Sequence, residues 1–304
     1  MAAPDSWVKS RNHFLADRTK DSMKFGAVHL EVTHKEKSLW FYRDIIGLQL
    51  RKENGYLEMG TDTETLVVLH PTAKLPKKQR YSGLYHFAIH LQSEAEFARV
   101  LARLISNRYP VSPTDHTISK AIYLDDPDGI TVEITFETPG RFSQYIAKNG
   151  RLLSLDTDGT ERLASAPLDV GSLMQIVPHD GIQKPLPVDT VIGHIHLYVG
   201  DLQKANEFYK KIGFEEHYFV PRMKFADLSA GGIFKHRMAI NTWQGPHAPQ
   251  PPDSTARMKH FTIKYVSENG LKSALANVPE FEKTDEGYVV SDPSGIRIIL
   301  TTED

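Results

Sequence analysis

Histidine is the residue type in this sequence that offers the most chemistry. The chain has 304 residues, of which 14 are histidine and none is cysteine. The lack of cysteine excludes a disulfide scaffold, a thiolate zinc site, an iron–sulfur cluster and a cysteine nucleophile. Any metal that the protein binds must therefore be held by imidazole nitrogens and carboxylate oxygens.

Several histidines lie in short segments in which apolar residues alternate with other types. An alternation with a period of two is typical of a strand, because successive side chains point to opposite faces of a sheet. We expect the apolar face to pack under helices. The other face, rich in His, Thr and Glu, predicts a wet, concave surface suited to a ligand. Its histidines are His29, His86, His90, His194, His196 and His260.

The elements that must position these histidines recur along the chain. Residues 27–48 and 194–214 each predict a strand, a helix that contains Phe-Tyr, and a glycine that ends the helix. The sequence DPDG at 126–129 recurs as DPSG at 292–295, at nearly the same offset as the two Phe-Tyr pairs. Two markers at nearly one offset indicate a duplicated half.

Each half divides again into two modules. The second module predicts a strand over 83–91, a helix begun by Ser93 with Glu96 in the reciprocal capping position, and two strands joined by an Asp-Gly turn. The predicted fold class is α+β, with four βαβββ modules that form two concave sheet cups. The modules lie near residues 25–72, 83–137, 191–243 and 257–302.

The domain organisation follows from these modules. We predict an N-terminal arm, a first domain made of modules 1 and 2, a connector, and a second domain made of modules 3 and 4. The connector is rich in Gly, Pro and Asp, which predicts a long irregular segment with one short helix. The corresponding ranges are 1–24, 25–137, 138–190 and 191–304.

Composition and charge exclude several classes of partner. The 36 basic and 38 acidic residues give a formal net charge of −2, which provides no general attraction to nucleic acid or to an anionic membrane. No segment approaches the roughly 18 apolar residues of a membrane span, and residues 1–22 have no apolar core for a signal peptide. We therefore expect a cytoplasmic protein whose partner is a small molecule, with homo-oligomerisation left open.

The modules resemble the vicinal oxygen chelate superfamily, which includes glyoxalase I, extradiol ring-cleaving dioxygenases and bleomycin-resistance proteins. The segments that carry the likeness are GLYHFAI, DPDGITVEI and IGHIHLYVGDL, and they are most similar to the catechol 2,3-dioxygenase type. All four modules match, so the resemblance covers most of the chain outside the arm and the connector. Because one scaffold serves several chemistries, it implies the fold more specifically than the reaction.

The resemblance also implies metal ligands near the start of a module's first strand and on its last strand. The matching positions are Ala27, His86, His194 and His260 on first strands, and Glu133 and Ile299 on last strands. Neither half alone supplies three ligands. If module 2 packs against module 3, however, His86, Glu133 and His194 converge. Two imidazoles and one carboxylate bind Fe(II), with Mn(II) as the alternative, and leave three positions for a catechol and dioxygen.

The same resemblance implies three catalytic residues. His236 matches a histidine that acts in acid–base catalysis where dioxygen binds. Tyr123 matches a tyrosine that reaches a substrate oxygen, and His116 matches a histidine near the substrate hydroxyls. A structural reading stays open for each: a surface histidine beside Lys235 and Arg237, a packed tyrosine and a solvent-facing loop histidine.

The sequence therefore predicts an Fe(II)-dependent extradiol dioxygenase that inserts dioxygen into a catechol- or hydroquinone-type ring. A glyoxalase-like isomerase or lyase is the first alternative, although it would need a fourth ligand where module 3 ends in Ile240 and Asn241. A metal-free binder of aromatic ligands, of the bleomycin-resistance type, is the second. We assign His29, His90 and His196 to the cavity wall or to hydrogen bonding within the cavity, and His260 to the remnant of a lost site.

Overall fold

The computed structural model describes residues 9–10, 20–149, 151–278 and 280–303, and it shows four strand–helix–strands modules in chain order. The first half of the chain contains β1 (Lys9–Ser10), β2 (Met23–Glu31), α1 (Lys35–Trp40), β3 (Gln49–Glu53), β4 (Leu57–Gly60), β5 (Thr65–His70), β6 (Gly83–Leu91), α2 (Glu94–Ser106), β7 (Ser112–Asp115), β8 (Ser119–Asp125) and β9 (Thr131–Glu137). A π-helical segment, Phe41–Ile46, continues α1.

The connector differs from its prediction. It contains β10 (Phe142–Lys148), β11 (Arg151–Asp156), β12 (Glu161–Leu163), β13 (Ala166–Pro167) and α3 (Val170–Gln175). The short helix is present, but β10, β11 and β12 form an antiparallel sheet where we expected irregular structure. The turns of this sheet have left-handed backbone conformations, since Asn149 and Gly159 have φ values of 53° and 88°.

The second half repeats the module pattern. It contains β14 (Val191–Tyr198), α4 (Leu202–Lys211), β15 (Glu215–Val220), β16 (Phe225–Ser229), β17 (Met238–Asn241), β18 (Arg257–Tyr265), α5 (Glu268–Asn277), β19 (Glu282–Thr284), β20 (Gly287–Ser291) and β21 (Arg297–Thr302). Among the described residues, no helix combines the length and the apolar character that a membrane span requires.

The strands of the modules assemble into two large sheets that combine the two halves of the chain. The ten-stranded sheet has the order β1-β15-β16-β17-β14-β6-β9-β8-β7-β13, and the eight-stranded sheet has the order β19-β20-β21-β18-β2-β5-β4-β3. Module 2 therefore pairs with module 3 through β6 and β14, and module 1 pairs with module 4 through β2 and β18. We call the face with His86 and His194 the module 2/3 cup, and the face with His29 and His260 the module 1/4 cup.

The apolar face of each module's first strand packs into the core, as predicted. Val28, Phe87 and Ile195 are fully buried, together with Phe41 and Phe97 from the helical segments. The opposite face is not wet at the module 2/3 cup, which corrects our expectation. His86, His90, His194 and His196 are at most 4% exposed, because these histidines and neighbouring aromatic rings pack against one another.

The start of α2 differs in detail from the predicted capping pair. Ser93 occupies the N-cap position, but its side chain makes no capping hydrogen bond. Glu96 instead forms an ion pair with Arg99 at 2.8 Å, and Arg99 also pairs with Asp180 of the connector. The competing ion pair therefore takes the carboxylate away from the helix terminus.

The two repeat markers contact each other in each half. The Tyr42 hydroxyl lies 3.3 Å from Asp126 Oδ2, and the Tyr209 hydroxyl lies 3.3 Å from Asp292 Oδ2. Burial raises the pKa of Asp126 to about 7 and that of Asp292 to about 6. The duplicated Tyr and DP motifs thus join the helix of one module to the hairpin turn of the next.

Candidate metal centre

Three neighbouring strands bring His86, Glu133 and His194 together. His86 lies on β6, Glu133 on β9 and His194 on β14, and Ala88 of β6 stands opposite both Glu133 and His194. The Nε2 atoms of His194 and His86 lie 2.9 Å and 3.0 Å from Glu133 Oε2, and 3.3 Å from each other. The three side chains are at most 3% exposed. Among the described residues, they are the one set of three ligating side chains that converge in this way.

The donor set fits a divalent metal ion. Ligand atoms bound at about 2.1 Å and at right angles to one another lie about 3.0 Å apart. The three observed separations, 2.9 Å, 3.0 Å and 3.3 Å, therefore match one face of an octahedron. Two imidazoles and a carboxylate on one face are typical of non-haem Fe(II) sites with open positions.

The protonation states also suit metal binding. Burial lowers the pKa of His86 and holds that of His194 well below its usual value, so both rings are neutral. Burial opposes the charge of Glu133, but His194 and His86 outweigh it and hold its pKa well below the usual range. Neutral imidazoles and an ionised carboxylate are the forms that coordinate a metal.

His236 lies beside this triad, with 19% of its side chain exposed. Its ring centroid is 4.6 Å from that of His194, and its Nδ1 donates to Asp227 Oδ1 at 2.8 Å. Asp227 is buried and also contacts His217 Nδ1 at 3.2 Å. Burial disfavours a charge on His236, but Asp227 more than compensates and raises its pKa. The structure thus provides a histidine that holds a proton next to a candidate ligand.

Tyr123 and His116 are also brought to the site, as a hydrogen-bonded pair. The Tyr123 hydroxyl lies 2.9 Å from His116 Nε2, and His116 Nδ1 donates to the Ala164 carbonyl at 2.7 Å. Because a carbonyl can only accept, neutral His116 accepts the Tyr123 proton at Nε2. Burial, followed by the charge of Glu133, raises the pKa of Tyr123 well above its usual value. The Tyr123 ring stands 5.4 Å from that of His86.

Sequence reasoning missed Tyr145 and the hydrogen bond between His196 and Asn241. Asn241 Nδ2 donates to His196 Nε2 at 2.8 Å, while Asn241 Oδ1 accepts the Trp243 backbone N–H, so neutral His196 carries its proton on Nδ1. Tyr145 of β10 lies close enough for Asp227 and Glu133 to add to the burial that raises its pKa. The alternation of β14 signals His196, but no local pattern links the connector to the cup.

Comparisons with known proteins agree with this fold. Residues 24–134 match the sequence model of a family described as the Glyoxalase/Bleomycin resistance protein/Dioxygenase superfamily. Over 277 residues the chain is 31% identical to a catechol-2,3-dioxygenase from Bacillus subtilis (strain 168), with 88% of this chain and 93% of that protein covered.

Solved structures have the same architecture. A candidate dioxygenase from Bacillus subtilis has a TM-score of 0.58 and 14% identity, covering 94% of this chain and 87% of its own. Glyoxalase I from Zea mays has a TM-score of 0.53 and 14% identity, covering 92% of each chain. At identities this low, the structural similarity is informative about the fold alone. It confirms the predicted α+β class. The 31% identity across most of both chains, with the match to the family's sequence model, establishes that this protein belongs to the Glyoxalase/Bleomycin resistance protein/Dioxygenase superfamily, which is the vicinal oxygen chelate superfamily.

Proposed function

We propose that this protein is an Fe(II)-dependent extradiol dioxygenase that cleaves a catechol- or hydroquinone-type ring, with Mn(II) as the alternative metal. The convergence of His86, Glu133 and His194 in a buried site carries the proposal. The similarity to a catechol-2,3-dioxygenase supports the same reaction class. The iron, when bound, would supply coordination positions for substrate oxygen and for dioxygen, and it would relay to dioxygen the electrons that the ring gives up.

Tyr123 and His116 are placed to remove a proton from the substrate. A catechol that binds a metal through its oxygens releases at least one of its two hydroxyl protons. Tyr123 would accept one of these protons while it passes its own to His116 Nε2, since the two atoms are already hydrogen-bonded at 2.9 Å. The Ala164 carbonyl holds the other ring nitrogen and stabilises the imidazolium that results.

His236 is placed to supply a proton on the side of His194. Asp227 raises the pKa of His236, so a larger fraction of this residue is protonated near neutral pH. The two contacts of Asp227, with His236 and His217, fix the orientation of the donor ring. His236 therefore suits the role of a general acid toward oxygen bound next to His194.

An aromatic wall supports an aromatic substrate. The rings of Tyr85 and Trp243 lie 4.8 Å and 5.5 Å from His196, and Phe225 stacks on Trp243 at 6.2 Å. Tyr85 also contacts the ring of His86 at 4.7 Å, so the wall reaches the metal ligands. Flat apolar surfaces of this kind pack well against an aromatic ring.

The ligand set favours this proposal over a glyoxalase-like enzyme. Asn241, at the end of β17, is engaged by His196, and Ile240 is fully buried in the core. Asp227, a buried carboxylate of module 3, is already held by His236 and His217. Among the described residues, module 3 therefore presents no carboxylate with the geometry of a fourth ligand.

Anaerobic reconstitution tests the proposed function. We expect the purified protein to bind one Fe(II) per chain and, after addition of catechols and oxygen, to form a yellow ring-opened product. Parallel samples loaded with Zn(II) or Ni(II) should show no ring cleavage. Iron-loaded protein that turns over no member of a broad catechol panel would contradict the activity, and isomerase activity with Zn(II) or Ni(II) would favour the glyoxalase alternative.

A further inference from the structure

A buried hydrogen-bonded chain lies behind His194, on the side away from Glu133. His194 Nδ1 is 2.8 Å from His90 Nε2, and His90 Nδ1 is 2.8 Å from Glu137 Oε1. Arg237 Nη1 donates to the same Glu137 oxygen at 2.6 Å, and Arg237 Nε donates to Asp21 at 2.9 Å. The chain connects the candidate metal centre to the end of β9 and to the segment before β2.

Glu137, the acceptor at the end of this chain, determines which ring nitrogen of His90 and of His194 carries a hydrogen. Glu137 is ionised, because His90 and Arg237 outweigh the burial that opposes its charge and lower its pKa to about 2. A carboxylate only accepts, so His90 carries its hydrogen on Nδ1 and accepts at Nε2. His194 must then donate from Nδ1, which leaves its Nε2 lone pair facing Glu133 Oε2 at 2.9 Å.

This arrangement places two acceptors in contact, which only a shared cation satisfies. With no hydrogen on His194 Nε2, the contact with Glu133 Oε2 lacks a donor. A metal ion between the two atoms removes this conflict, because both lone pairs can then be directed at the cation. The hydrogen-bonded chain therefore leads to the same metal position as the three donor distances.

The ring of His90 is held in place by its surroundings. A Cβ atom at Gly193 would lie 2.0 Å from the ring, so no side chain fits there. The Phe234 ring packs edge-on against His90 at 5.4 Å, and the Arg237 guanidinium lies 4.7 Å above Phe234. His90 thus meets the ring of His194 at 79° in a fixed orientation.

Among the residues that the structure describes, the module 1/4 cup shows no equivalent chain. The position four residues after the first-strand ligand position is His90 in module 2 and Lys264 in module 4. Lys264 turns to Glu64 at 2.8 Å. The hydrogen-bonded chain is therefore found beside the cup in which three candidate ligands converge.

We propose that His90, held by Glu137 and Arg237, is a positioning residue that keeps the Nε2 lone pair of His194 directed at the metal. The inference rests on the proposed metal centre and does not depend on ring cleavage. Loss of a hydrogen-bond partner behind a metal-ligating histidine typically weakens metal binding by about 10–100-fold.

Metal affinity measures this role without reference to turnover. We would titrate metal-free parent protein with Co(II) against a competing chelator and record the Co(II) visible spectrum. His90→Phe keeps a ring of similar shape but cannot accept from His194, and we expect about 10–100-fold weaker binding with an altered spectrum. His90→Gln provides an acceptor oxygen and should recover part of the affinity. Lys264→Leu, at the equivalent position of the module 1/4 cup, is the matched control and should bind like the parent.

The outcomes separate this inference from the proposed function. If the parent binds Co(II) and His90→Phe binds equally well with the same spectrum, the positioning role is wrong. If the parent binds no metal, the proposed metal centre itself fails. Should His90→Phe not fold, Glu137→Leu removes the end of the chain at a partly exposed residue. Parent-like affinity and spectrum in Glu137→Leu would equally overturn the inference.

Discussion

The two cups of this protein have the same strand geometry but different side chains at equivalent positions. In the module 2/3 cup, His86 precedes Ala88, which stands opposite Glu133. In the module 1/4 cup, His260 precedes Thr262 in the same way, and Thr262 stands opposite Ile299. The backbone therefore offers the same place for a metal twice, and the side chains complete it once.

The contrast extends to the partner strand of each cup. His194 in module 3 corresponds to Ala27 in module 1, so the module 1/4 cup lacks a second imidazole at this position. Its histidines pair with each other instead: His29 Nδ1 lies 3.1 Å from His70 Nε2, and the rings of His29 and His260 stack at 3.9 Å. Burial and neighbouring cationic groups lower the pKa of His29 to about 3 and that of His260 to about 4. These neutral rings provide packing, and their donor atoms do not converge.

Removal of one candidate ligand should have the largest effect on metal binding, because it would abolish the difference between the two cups. We expect His86→Ala, Glu133→Ala and His194→Ala each to weaken metal binding by more than about 100-fold, because loss of an outer partner alone costs up to that much. His260→Ala, at the equivalent position of the other cup, is the control and should keep a parent-like affinity. Metal content after gel filtration measures the effect, and loss of metal in His260→Ala would show that the wrong cup was assigned.

Replacement of His236 should impair turnover and leave the metal in place. We expect His236→Gln to lower kcat by about 10²–10⁴-fold, which is the usual contribution of general acid–base catalysis. By strand register, Thr65 occupies the equivalent position in module 1, so Thr65→Ala is the matched control and should keep kcat. Equal kcat values for His236→Gln and the parent, at equal iron content, would exclude the proton-donor role.

The equivalence of the two cups can be tested by introducing the missing ligands into the module 1/4 cup. Ala27→His combined with Ile299→Glu places an imidazole and a carboxylate beside His260, in the register that His194 and Glu133 have in the other cup. We expect the stoichiometry of Co(II) binding to rise from one to two per chain. Ala27→His alone should stay at one. A folded double variant that still binds one ion would show that the strand positions are not interchangeable.

An effect on stability alone, separate from metal binding and turnover, should come from the Tyr–Asp contacts that the halves share. The pKa of Asp126 is raised from 3.8 to about 7, so its protonated form favours the folded state. This stabilisation of the folded state is complete below pH 4 and is lost as the pH rises toward 7. Its total is about 4 kcal/mol.

Asp126→Asn keeps an acceptor for the turn but does not titrate. Its free energy of unfolding, measured relative to that of the parent, should therefore increase as the pH rises from 4 to 7. Asp292→Asn should gain less, with the change ending near pH 6, because the pKa of Asp292 is raised only to about 6. Urea unfolding across this pH range measures both. Parallel pH curves for Asp126→Asn and the parent would contradict the assignment.

Sequence patterns predicted the repeated elements well because each module carries its own signals. The strand at 83–91 coincides with β6, and the helix near 268–277 coincides with α5, since alternation and capping are local properties. The family resemblance extended this to His86, Glu133 and His194, whose convergence in the structure required modules 2 and 3 to pair.

Interactions between distant segments could not be predicted in the same way. Ala164 and Tyr145 come from the connector, which has no repeat partner, so nothing in the modules indicates their contact with the cup. The capping role of Glu96 failed because Arg99 competes for its carboxylate. The interpretation of His90 as a wall or hydrogen-bonding residue left its partners open, because its bonds to His194 and Glu137 depend on how β14 and β9 pair with β6.

The pairing of strands from opposite halves has a consequence for folding. His86 and His194 are 108 residues apart in the chain, yet their Nε2 atoms lie 3.3 Å from each other. A divalent ion bound to both would act as a cross-link that closes this long loop and favours the native state by mass action. Neither half of the polypeptide, expressed by itself, would contain the full set of donors, so the ability to hold an ion would arise only after modules 2 and 3 have docked.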